Sequence, residues 1–493
     1  MKYYIGVDLG TSSIKLLLVN EQGEILRSIS REYPIYYPKS GYSEQRPEDW
    51  WNAFLDGMKE LLCGIPAESV CAIGVAGQMH GLVILDERDA VIRPAILWND
   101  GRTEKQTAYL NEVIGKEKLF AYTGNIAFAG FTAPKLLWLR ENEPESFGKI
   151  NKIMLPKDYI NYLLTGVHCT DYSDASGMLL LDVKNKCWSK EMLDLCGVCE
   201  SQMPKLFESF ERVGYIKKEL ADELGISRET VVVAGAGDNA GAAIGTATVG
   251  EGKCNISLGT SGTVFVSSDS FSGDAAQAIH AFCHADGGYH LMGCILSAAS
   301  CNQWFCDEIL HTKDYKAEEM AVKVECLGKN EVFFLPYLMG ERSPINDVNA
   351  TGLFIGLRPS TTRAEMYQAV LEGVAFAIKD NLEIIKRFGV DVKSSCLCGG
   401  GAKSKLWRLI LANVLDIELN IPVTEQGPGY GAAILAMVGA GDLASVREAA
   451  EQFFAIKETV SPDRALSALY AKRYEKYRSI YPALKDLYKN IKE

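Results

Sequence analysis

The sequence predicts an α/β protein made of two similar lobes, and three observations support this fold class. Short apolar strands with glycine-rich turns alternate with longer amphipathic segments, a pattern typical of α/β architecture. The 493 residues allow two to four domains at about 150 residues per domain. Residues 5–19 (IGVDLGTSSIKLLLV) and 254–267 (CNISLGTSGTVFVS) each read as strand, LGTS turn and strand. Two lobes that open with the same hairpin explain this repeat.

The boundary between the lobes is predicted in a turn-rich stretch of small residues, 245–253 (GTATVGEGK). It gives an N-terminal lobe of residues 1–248 and a C-terminal lobe of residues 249–493. Residues 462–493, at the end of the second lobe, read as charged amphipathic helix, which favours packing over chemistry. Further amphipathic segments predict helices over residues 48–63, 104–114, 132–142, 155–164, 298–310, 362–387, 402–415 and 428–440.

Charge and composition argue against several classes of partner. The chain has 51 lysines and arginines against 63 aspartates and glutamates, a formal net charge of −12. We therefore expect no binding to nucleic acid or to an anionic membrane surface. Asp8 interrupts the apolar N-terminus where a signal peptide would need an apolar run, so we predict a cytoplasmic protein. The 14 cysteines include the pair Cys196 and Cys199, but no second pair at the spacing of a zinc site follows.

The turn of the first hairpin is the first candidate site. A predicted strand leads to Asp8, and Gly10, Thr11 and Ser12 follow. Glycine permits a tight turn, and the hydroxyl and backbone N–H groups beside it can hold phosphate oxygens. A carboxylate next to such a turn can hold Mg²⁺, directly or through water. A plain hairpin with an aspartate in its turn remains the alternative interpretation.

The turn of the second hairpin is the second candidate. Gly259, Thr260 and Ser261 repeat the glycine and the hydroxyls but bring no carboxylate. Because the second turn has no acid, it is suited to hold phosphate alone, whereas the first turn could hold both phosphate and metal. A plain hairpin is again the alternative.

A third glycine-containing turn, GAGDNA at residues 235–240, follows a predicted strand. It resembles a dinucleotide-binding loop, but that motif needs an acidic residue about 20 positions later. Residues 253–255 read Lys-Cys-Asn there, and an aspartate inside the loop would repel a pyrophosphate. Asp238 is better interpreted as a base directed at a substrate hydroxyl.

A fourth segment supplies backbone groups that could bind a nucleotide. Between a predicted strand and a helix, the turn at Gly399, Gly400, Gly401 and Ala402 allows a nucleotide to approach the backbone closely at a helix N-terminus.

The last segment gathers polar and aromatic side chains near two strand ends. Polyols need several fixed donors and acceptors together with an aromatic platform. The candidates are Gln78, Met79, His80, Trp98, Asn99 and Asp100.

These segments, in this order, resemble the FGGY family of carbohydrate kinases, in the superfamily of sugar kinases, actin and heat-shock ATPases. Residues 130–142 (GFTAPKLLWLREN) and 352–372 (GLFIGLRPSTTRAEMYQAVLE) are similar to the two family signatures. The resemblance covers essentially the whole chain. The segments at 78–81 (QMHG), 96–103 (ILWNDGRT) and 171–177 (DYSDASG) are most similar to members that act on xylulose.

The resemblance implies two ribonuclease H-like lobes of the actin and hexokinase type around a central cleft. It implies ATP-dependent phosphorylation of a ketopentose such as D-xylulose, with Asp238 as the catalytic base and Asp8 as the acid near Mg²⁺ and the transferred phosphate. Met79 and His80 would contact the sugar, with Asn99, Asp100 and Asn239 nearby, and the nucleotide would lie on the second hairpin and the glycine run. A homodimer is compatible with the resemblance.

Three other functions stay open at this point. Another kinase of the same family would share the mechanism but act on a different ketose or polyol. A non-catalytic regulator that binds sugar or nucleotide would have no need of both Asp8 and Asp238. A nicotinamide-dependent dehydrogenase would rely on residues 235–240 and would bind NAD(H).

Overall fold

The fold was analysed in a computed structural model that describes residues 1–276, 279–423 and 427–492. Two seven-stranded sheets dominate it, one from each half of the chain. Among the described helices, none combines the length and the apolar character that crossing a bilayer requires. The predicted α/β class with two lobes is confirmed.

The first sheet contains strands β1 to β7. Their bounds are β1 Tyr3–Leu9, β2 Ser13–Asn20, β3 Ile25–Glu32, β4 Val70–Gly77, β5 Arg212–Tyr215, β6 Val231–Val233 and β7 Ala236–Gly237. The order across the sheet is β5-β6-β4-β1-β2-β3, and β7 pairs with the end of β4. Strands β1, β2 and β3 form an antiparallel meander, whereas β4 runs parallel to β1 and β6 parallel to β4. This arrangement is the ribonuclease H-like topology.

The second sheet repeats this arrangement with strands β8 to β14. Their bounds are β8 Cys254–Leu258, β9 Gly262–Ser268, β10 His280–Cys283, β11 Tyr289–Ile295, β12 Ser394–Cys398, β13 Glu418–Pro422 and β14 Ile456–Val460. The order is β10-β11-β9-β8-β12-β13-β14. Strands β8, β9 and β11 are antiparallel, and β12 and β13 continue the sheet parallel to β8. The repeated LGTS hairpins are therefore β1–β2 and β8–β9, in equivalent positions of the two sheets.

The helices cover the faces of both sheets and the cleft side of each lobe. Their bounds are α1 Pro47–Leu61, α2 Glu104–Ala108, α3 Lys116–Thr123, α4 Thr132–Asn142, α5 Pro144–Phe147, α6 Pro156–Thr165, α7 Tyr172–Ala175, α8 Lys190–Cys196, α9 Lys218–Leu224, α10 Asp238–Gly245, α11 Ala299–Trp304, α12 Tyr315–Ala321, α13 Arg363–Arg387, α14 Lys405–Leu415, α15 Gly427–Gly439, α16 Val446–Phe453, α17 Arg464–Arg478 and α18 Ile480–Lys492. Short two-stranded pairs link these elements, among them 83–85 with 152–154 and 333–335 with 353–355.

Local side-chain chemistry explains several helix ends. Helix α13 begins with a capping box, because the Thr362 hydroxyl accepts the Glu365 N–H and the Glu365 carboxylate accepts the Thr362 N–H. The helix predicted over 402–415 begins later, at Lys405, because the Ser404 hydroxyl caps it by accepting the Trp407 N–H at 3.0 Å.

The predicted C-terminal helix 462–493 is divided at Ser479 into α17 and α18, and its last residue lies outside the described part. Pro482 has no N–H to donate, which suits the first turn of a new helix.

Helix α15 lies directly on the first sheet although it comes from the second half of the chain. A Cβ on Gly6 of β1 would lie 1.9 Å from the carbonyl oxygen of Gly429, and a Cβ on Gly74 of β4 would lie 2.1 Å from that of Ala432. Gly431 approaches the carbonyl oxygen of Gly241, in α10, in the same way. Helices α10 and α15 can pack this closely only because these positions carry no side chain.

The Gly6→Ala substitution is expected to destabilise the first lobe by about 1–3 kcal/mol or more, because the added methyl group overlaps backbone of α15 and has no flexible neighbour to displace. Urea unfolding followed by circular dichroism measures the loss. Gly148→Ala is the matched control, since its nearest contact, the Pro144 carbonyl oxygen, is at 3.4 Å and its φ is −66°. Equal free energies of unfolding for the two variants would contradict the close packing of α15 on β1.

Candidate active site between the lobes

Asp8 lies inside β1, paired with Lys15 on β2, rather than in the turn that the sequence predicted. The ladder continues to the pair formed by Leu9 and Ile14, so the turn contains only residues 10–12. Burial raises the pKa of the Asp8 carboxyl to about 6, and the charge of Lys15 opposes that rise. No hydrogen bond to the Asp8 carboxylate is found from the residues that the structure describes, which leaves its oxygen atoms available to a ligand.

Asp238 is the first residue of α10, and Gly237 precedes it at the N-cap position. Its Oδ1 accepts the backbone N–H of Asn239 at 2.7 Å and the side-chain amide of Asn239 at 2.9 Å. Burial, with a contribution from the charge of Asp8, raises the pKa of Asp238 to about 7. The two predicted acids are therefore close enough to interact electrostatically, and Asp238 carries a pKa suited to proton transfer near neutral pH.

His80 is held in an unusual conformation, with a φ of 69°. Its carbonyl oxygen accepts hydrogen bonds from the ammonium group of Lys135 at 2.7 Å and from the hydroxyl of Thr132 at 3.1 Å. The ring Nδ1 lies 2.8 Å from the carbonyl oxygen of Gly177. Because a carbonyl can only accept, Nδ1 carries the proton and Nε2 is the acceptor.

Burial and the charge of Lys135 lower the pKa of His80 to about 3, so the ring is neutral. Met79 lies beside this ring at the base of α10. Its sulfur is 3.8 Å from the side-chain nitrogen of Asn239, and its side chain packs against the backbone of Gly177 and Gly237. Met79, His80, Asn239 and Asp238 thus form one cluster, which the sequence predicted from separate segments.

Two other predicted sugar contacts are bound to the protein itself. The side-chain amide of Gln78 donates to Gln45 at 2.9 Å inside the lobe. Both oxygens of Asp100 are engaged, one by the backbone N–H of Ser43 and both by the guanidinium of Arg102. Asp100 therefore supports the loop that carries Trp98, and it offers no free oxygen to a ligand in this structure.

Trp98 and Asn99 remain accessible at the rim of the first lobe. The Trp98 side chain is 40% exposed, and its indole N–H donates to the Thr11 hydroxyl at 2.9 Å. This bond ties the predicted sugar loop to the turn of the first hairpin. Gly10 and Ser12 complete that turn, where the Gly10 N–H donates to the Ser13 carbonyl at 3.0 Å.

The second hairpin turn and the glycine run lie together in the other lobe. A Cβ on Gly399 would lie 2.6 Å from the Leu258 carbonyl oxygen, and Gly399 has a φ of 90°. Gly401 packs against Leu258 and Trp407, whereas a Cβ on Gly400 would meet nothing within 4 Å. Glycine is thus required at residues 399 and 401 for close packing, and Gly400 presents open backbone. The predicted contact Ala402 is buried beneath this turn.

Two cavities adjoin these turns. The first, of about 400 Å³, lies between the lobes and is lined by Asn239, Thr246, Asn255, Ser257, Gly259, Ser261, Cys398 and Pro428, among others. The second, of about 720 Å³, is lined on one side by Gly400, Gly401 and Lys403 and on the other by Asn302, Gln303 and Tyr315. The glycine run therefore contributes Gly400 and Gly401 to the second cavity, and Cys398, just before the run, lines the first. Thr260 lines neither, and its carbonyl oxygen receives the N–H of Ala298 at 2.9 Å.

The sequence did not predict that the second lobe reaches the surroundings of His80. The rings of His280, in β10, and Phe131 lie 5.4 Å apart, and Phe131 lies 4.8 Å from His80. The Asn125 side chain also exchanges two hydrogen bonds with the backbone of Ala281. Lys135 was equally missed, although it lies in the recognised segment GFTAPKLLW. Only the fold brings these residues together, so no local pattern marks them.

Comparisons with known proteins identify the family of the chain. The N-terminal domain of the FGGY family of carbohydrate kinases matches residues 3–245, and its C-terminal domain matches residues 254–440. A xylulose kinase from Escherichia coli strain K12 is 40% identical over 98% of this chain and 99% of its own. Two crystal structures from Lactobacillus acidophilus, a ligand-bound xylulose kinase and a gluconate kinase, each reach a TM-score of 0.93 at 28% identity. The first covers 100% of both chains and the second 99% of both.

Two ribonuclease H-like lobes with two interacting carboxylates suit phosphoryl transfer, and the matching family models identify the class as carbohydrate kinases. The chain belongs to the FGGY family of these enzymes.

Proposed function

We propose that this enzyme transfers the γ-phosphate of ATP to the terminal hydroxyl of a ketopentose, D-xylulose, and forms D-xylulose 5-phosphate. The observation that carries the proposal is the cluster of Met79, His80, Asn239 and Asp238 beside Asp8. In this cluster, the Asp238 carboxylate has a pKa near neutrality. The groups suited to a polyol lie on one side of it, and the cavity between the lobes lies on the other. The similarity to xylulose kinases over nearly the full chain supports this substrate.

In this proposal, the sugar occupies the side of the cleft formed by Met79 and His80. The neutral imidazole of His80 accepts a hydrogen bond from a sugar hydroxyl at Nε2, and the Asn239 amide presents a donor and an acceptor. Trp98 provides an aromatic surface at the rim, with Asn99 beside it. The side chains of Lys135 and Thr132 hold the His80 backbone carbonyl, and the bond from Nδ1 to the Gly177 carbonyl fixes the orientation of the ring.

The nucleotide is assigned to the two cavities. The triphosphate would lie in the cavity between the lobes, near the first turn at Gly10, Thr11 and Ser12 and the second turn at Gly259, Thr260 and Ser261. The adenosine would lie beyond Gly399, Gly400 and Gly401. Among the described residues, none donates a hydrogen bond to the Asp8 carboxylate. Asp8 therefore suits Mg²⁺, because proteins bind this ion through one or two carboxylates together with substrate phosphates. Bound there, Mg²⁺ would neutralise phosphate charge.

The catalytic contribution of the chain is mainly positioning and charge stabilisation. Phosphoryl transfer passes through a loose transition state, so the sugar hydroxyl loses its proton late. Asp238 accepts a hydrogen bond from that hydroxyl, orients its oxygen toward the γ-phosphate and receives the proton. The N–H groups of the two LGTS turns face the charge that develops on the phosphate oxygens.

A substrate panel tests the proposal. ADP formation is measured with D-xylulose, L-xylulose, D-ribulose, xylitol, glycerol and gluconate under identical conditions. We expect kcat/KM to be highest for D-xylulose, with little ATP hydrolysis in the absence of sugar. A higher kcat/KM for any other compound would overturn the assigned substrate but not the kinase assignment.

Gluconate is the second candidate substrate, because the gluconate kinase and the xylulose kinase from Lactobacillus acidophilus are equally similar to this chain in fold and in identity.

Titration with NAD(H), followed by fluorescence, tests the dehydrogenase alternative and is expected to show no binding. The cytoplasmic location, the homodimer and the division of the lobes at residue 248 stay predictions.

The pH dependence of activity follows from the raised pKa of Asp238. A carboxylate must be ionised to accept the proton, and burial together with Asp8 raises the pKa of Asp238 to about 7. We therefore expect kcat/KM for the sugar to be constant above that pH and to fall by about tenfold per pH unit below it. A discontinuous ADP assay measures the profile, and enzyme returned to pH 8 controls for inactivation. A flat profile between pH 5.5 and 8 would contradict the role of Asp238.

A further inference from the structure

A buried charge cluster lies behind the catalytic base. Lys157, in α6, is fully buried and contacts three fully buried carboxylates. Its ammonium group is 2.7 Å from Asp158, 2.8 Å from Asp171 and 3.7 Å from Asp174. One cation among three acids is an unusual arrangement for a protein interior, where charges are costly unless they are paired.

The protonation of the cluster follows from its burial. Burial opposes the charge on Lys157, but the surrounding carboxylates outweigh it and raise its pKa well above the usual value. Burial raises the pKa of Asp174 well above its ordinary range, and the charges of Asp158, Asp171 and Asp238 add to that rise while Lys157 opposes it. Lys157 is therefore a stable cation, and Asp171 is one of the carboxylates that pair with it.

A chain of hydrogen bonds runs from this cluster to the base. Asp171 Oδ2 accepts the backbone N–H of Ser173 at 2.9 Å and its hydroxyl at 2.5 Å. The Ser173 oxygen in turn accepts the backbone N–H of Gly237 at 3.1 Å. Gly237 is buried and immediately precedes Asp238 at the start of α10.

The direction of these bonds is fixed by the Gly237 N–H, which can only donate. The Ser173 oxygen must accept from it, and the single hydroxyl proton of Ser173 is directed to Asp171 Oδ2. Lys157 holds the other oxygen of Asp171 and so fixes the orientation of that carboxylate. The Cβ of Lys157 also lies against Gly77, at the end of β4, so the cluster supports the segment that leads to His80.

We propose that Ser173, oriented by Asp171 and Lys157, is a positioning residue for Asp238 in phosphoryl transfer. This inference rests on the proposed function. The Ser173 oxygen fixes the Gly237 peptide, and this peptide sets where α10 begins and where the Asp238 carboxylate projects. Ser173 supplies no atom to the reaction, and its loss changes the alignment of the base with the sugar hydroxyl. Misplacement by about 1 Å can lower the rate by about 10²-fold.

Ser209 provides a matched control on the same carboxylate. Its hydroxyl donates to Asp171 Oδ2 at 2.7 Å, as the Ser173 hydroxyl does, and it is equally buried. Its hydroxyl makes no hydrogen bond to Gly237 among the described residues. Ser209→Ala and Ser173→Ala therefore each remove one hydrogen bond from Asp171, but only Ser173→Ala removes the acceptor of the Gly237 N–H.

The experiment compares kcat and KM for sugar and ATP in the two variants, with melting temperature as the measure of stability. We expect Ser173→Ala to lower kcat by about 10- to 100-fold with KM for ATP unchanged within about twofold, and Ser209→Ala to keep kcat within about threefold of the parent enzyme. Similar losses of melting temperature in both variants would show that stability is not the cause. Equal kcat in the two variants would overturn the proposal.

Two further measures keep the test decisive. If Ser173→Ala does not fold, Ser173→Cys replaces it, because a thiol is similar in size but a weak acceptor; it is expected to lower kcat, and unchanged kcat would overturn the proposal. The comparison uses the sugar with the highest kcat/KM in the panel. A failure of the assigned substrate thus leaves this test intact, and a failure of this test leaves the substrate assignment intact.

Discussion

The Asp238→Asn substitution is expected to lower kcat by about 10²–10⁴-fold, the usual contribution of a general base. The amide keeps the size of the side chain but cannot take the proton of the sugar hydroxyl. Sugar affinity, measured by calorimetry, should change little, because Met79, His80 and Asn239 are retained. The variant should be no less stable than the parent enzyme, since it removes a carboxylate whose ionisation burial disfavours.

Asp463→Asn is the matched control for this prediction. Asp463 also lies at the start of a helix, where it is the N-cap of α17 and accepts the Leu466 N–H at 2.8 Å. Asparagine caps helices as well as aspartate does, and Asp463 lines neither cavity, so its replacement should leave kcat unchanged. Near-parental turnover in Asp238→Asn would reject Asp238 as the base.

Lys157→Met is expected to be the most destabilising of these substitutions, by about 3–5 kcal/mol in the free energy of unfolding, because it leaves buried carboxylates without their cation. The destabilisation should be smaller at pH 5 than at pH 8. Without Lys157, burial raises the folded-state pKa of the remaining carboxyls above the unfolded value, and stability from such groups is lost as the pH rises. Urea titration at the two pH values measures both effects.

Lys59→Met is the control of the same residue type. Lys59 pairs with Glu223 at 2.8 Å, but both side chains are about half exposed, and such surface pairs contribute little to stability. If Lys157→Met lowers the free energy of unfolding no more than Lys59→Met does, the assignment of Lys157 as a buried cation paired with carboxylates is contradicted.

Local patterns in the sequence predicted much of the fold. Helix α13, predicted over 362–387, begins at Arg363 because Thr362 and Glu365 form a capping box that four residues encode. The LGTS repeat predicted two equivalent hairpins, and β1–β2 and β8–β9 occupy the same place in the two sheets. Both features depend on residues near one another in the chain, so the sequence alone specifies them.

The predictions were weaker where a side chain has a choice of partners. Asp100 has the chemistry of a sugar contact, but Arg102 and the Ser43 N–H engage both of its oxygens. Lys135 and Thr132 hold the His80 carbonyl from a helix more than 50 residues away. A sequence shows which groups can form hydrogen bonds, but it does not show which of them meet.

The sequence by itself determined the α/β class, the paired hairpins and the presence of two acids suited to kinase chemistry. The spacing of hydrophobic residues, the glycine turns and the helix caps each depend only on residues a few positions apart. Tertiary structure alone decided the pKa of Asp238 near 7, the neutral His80 and the burial of Lys157 among three carboxylates. Ionisation depends on desolvation and on charges from distant segments, and these arise only when the lobes fold.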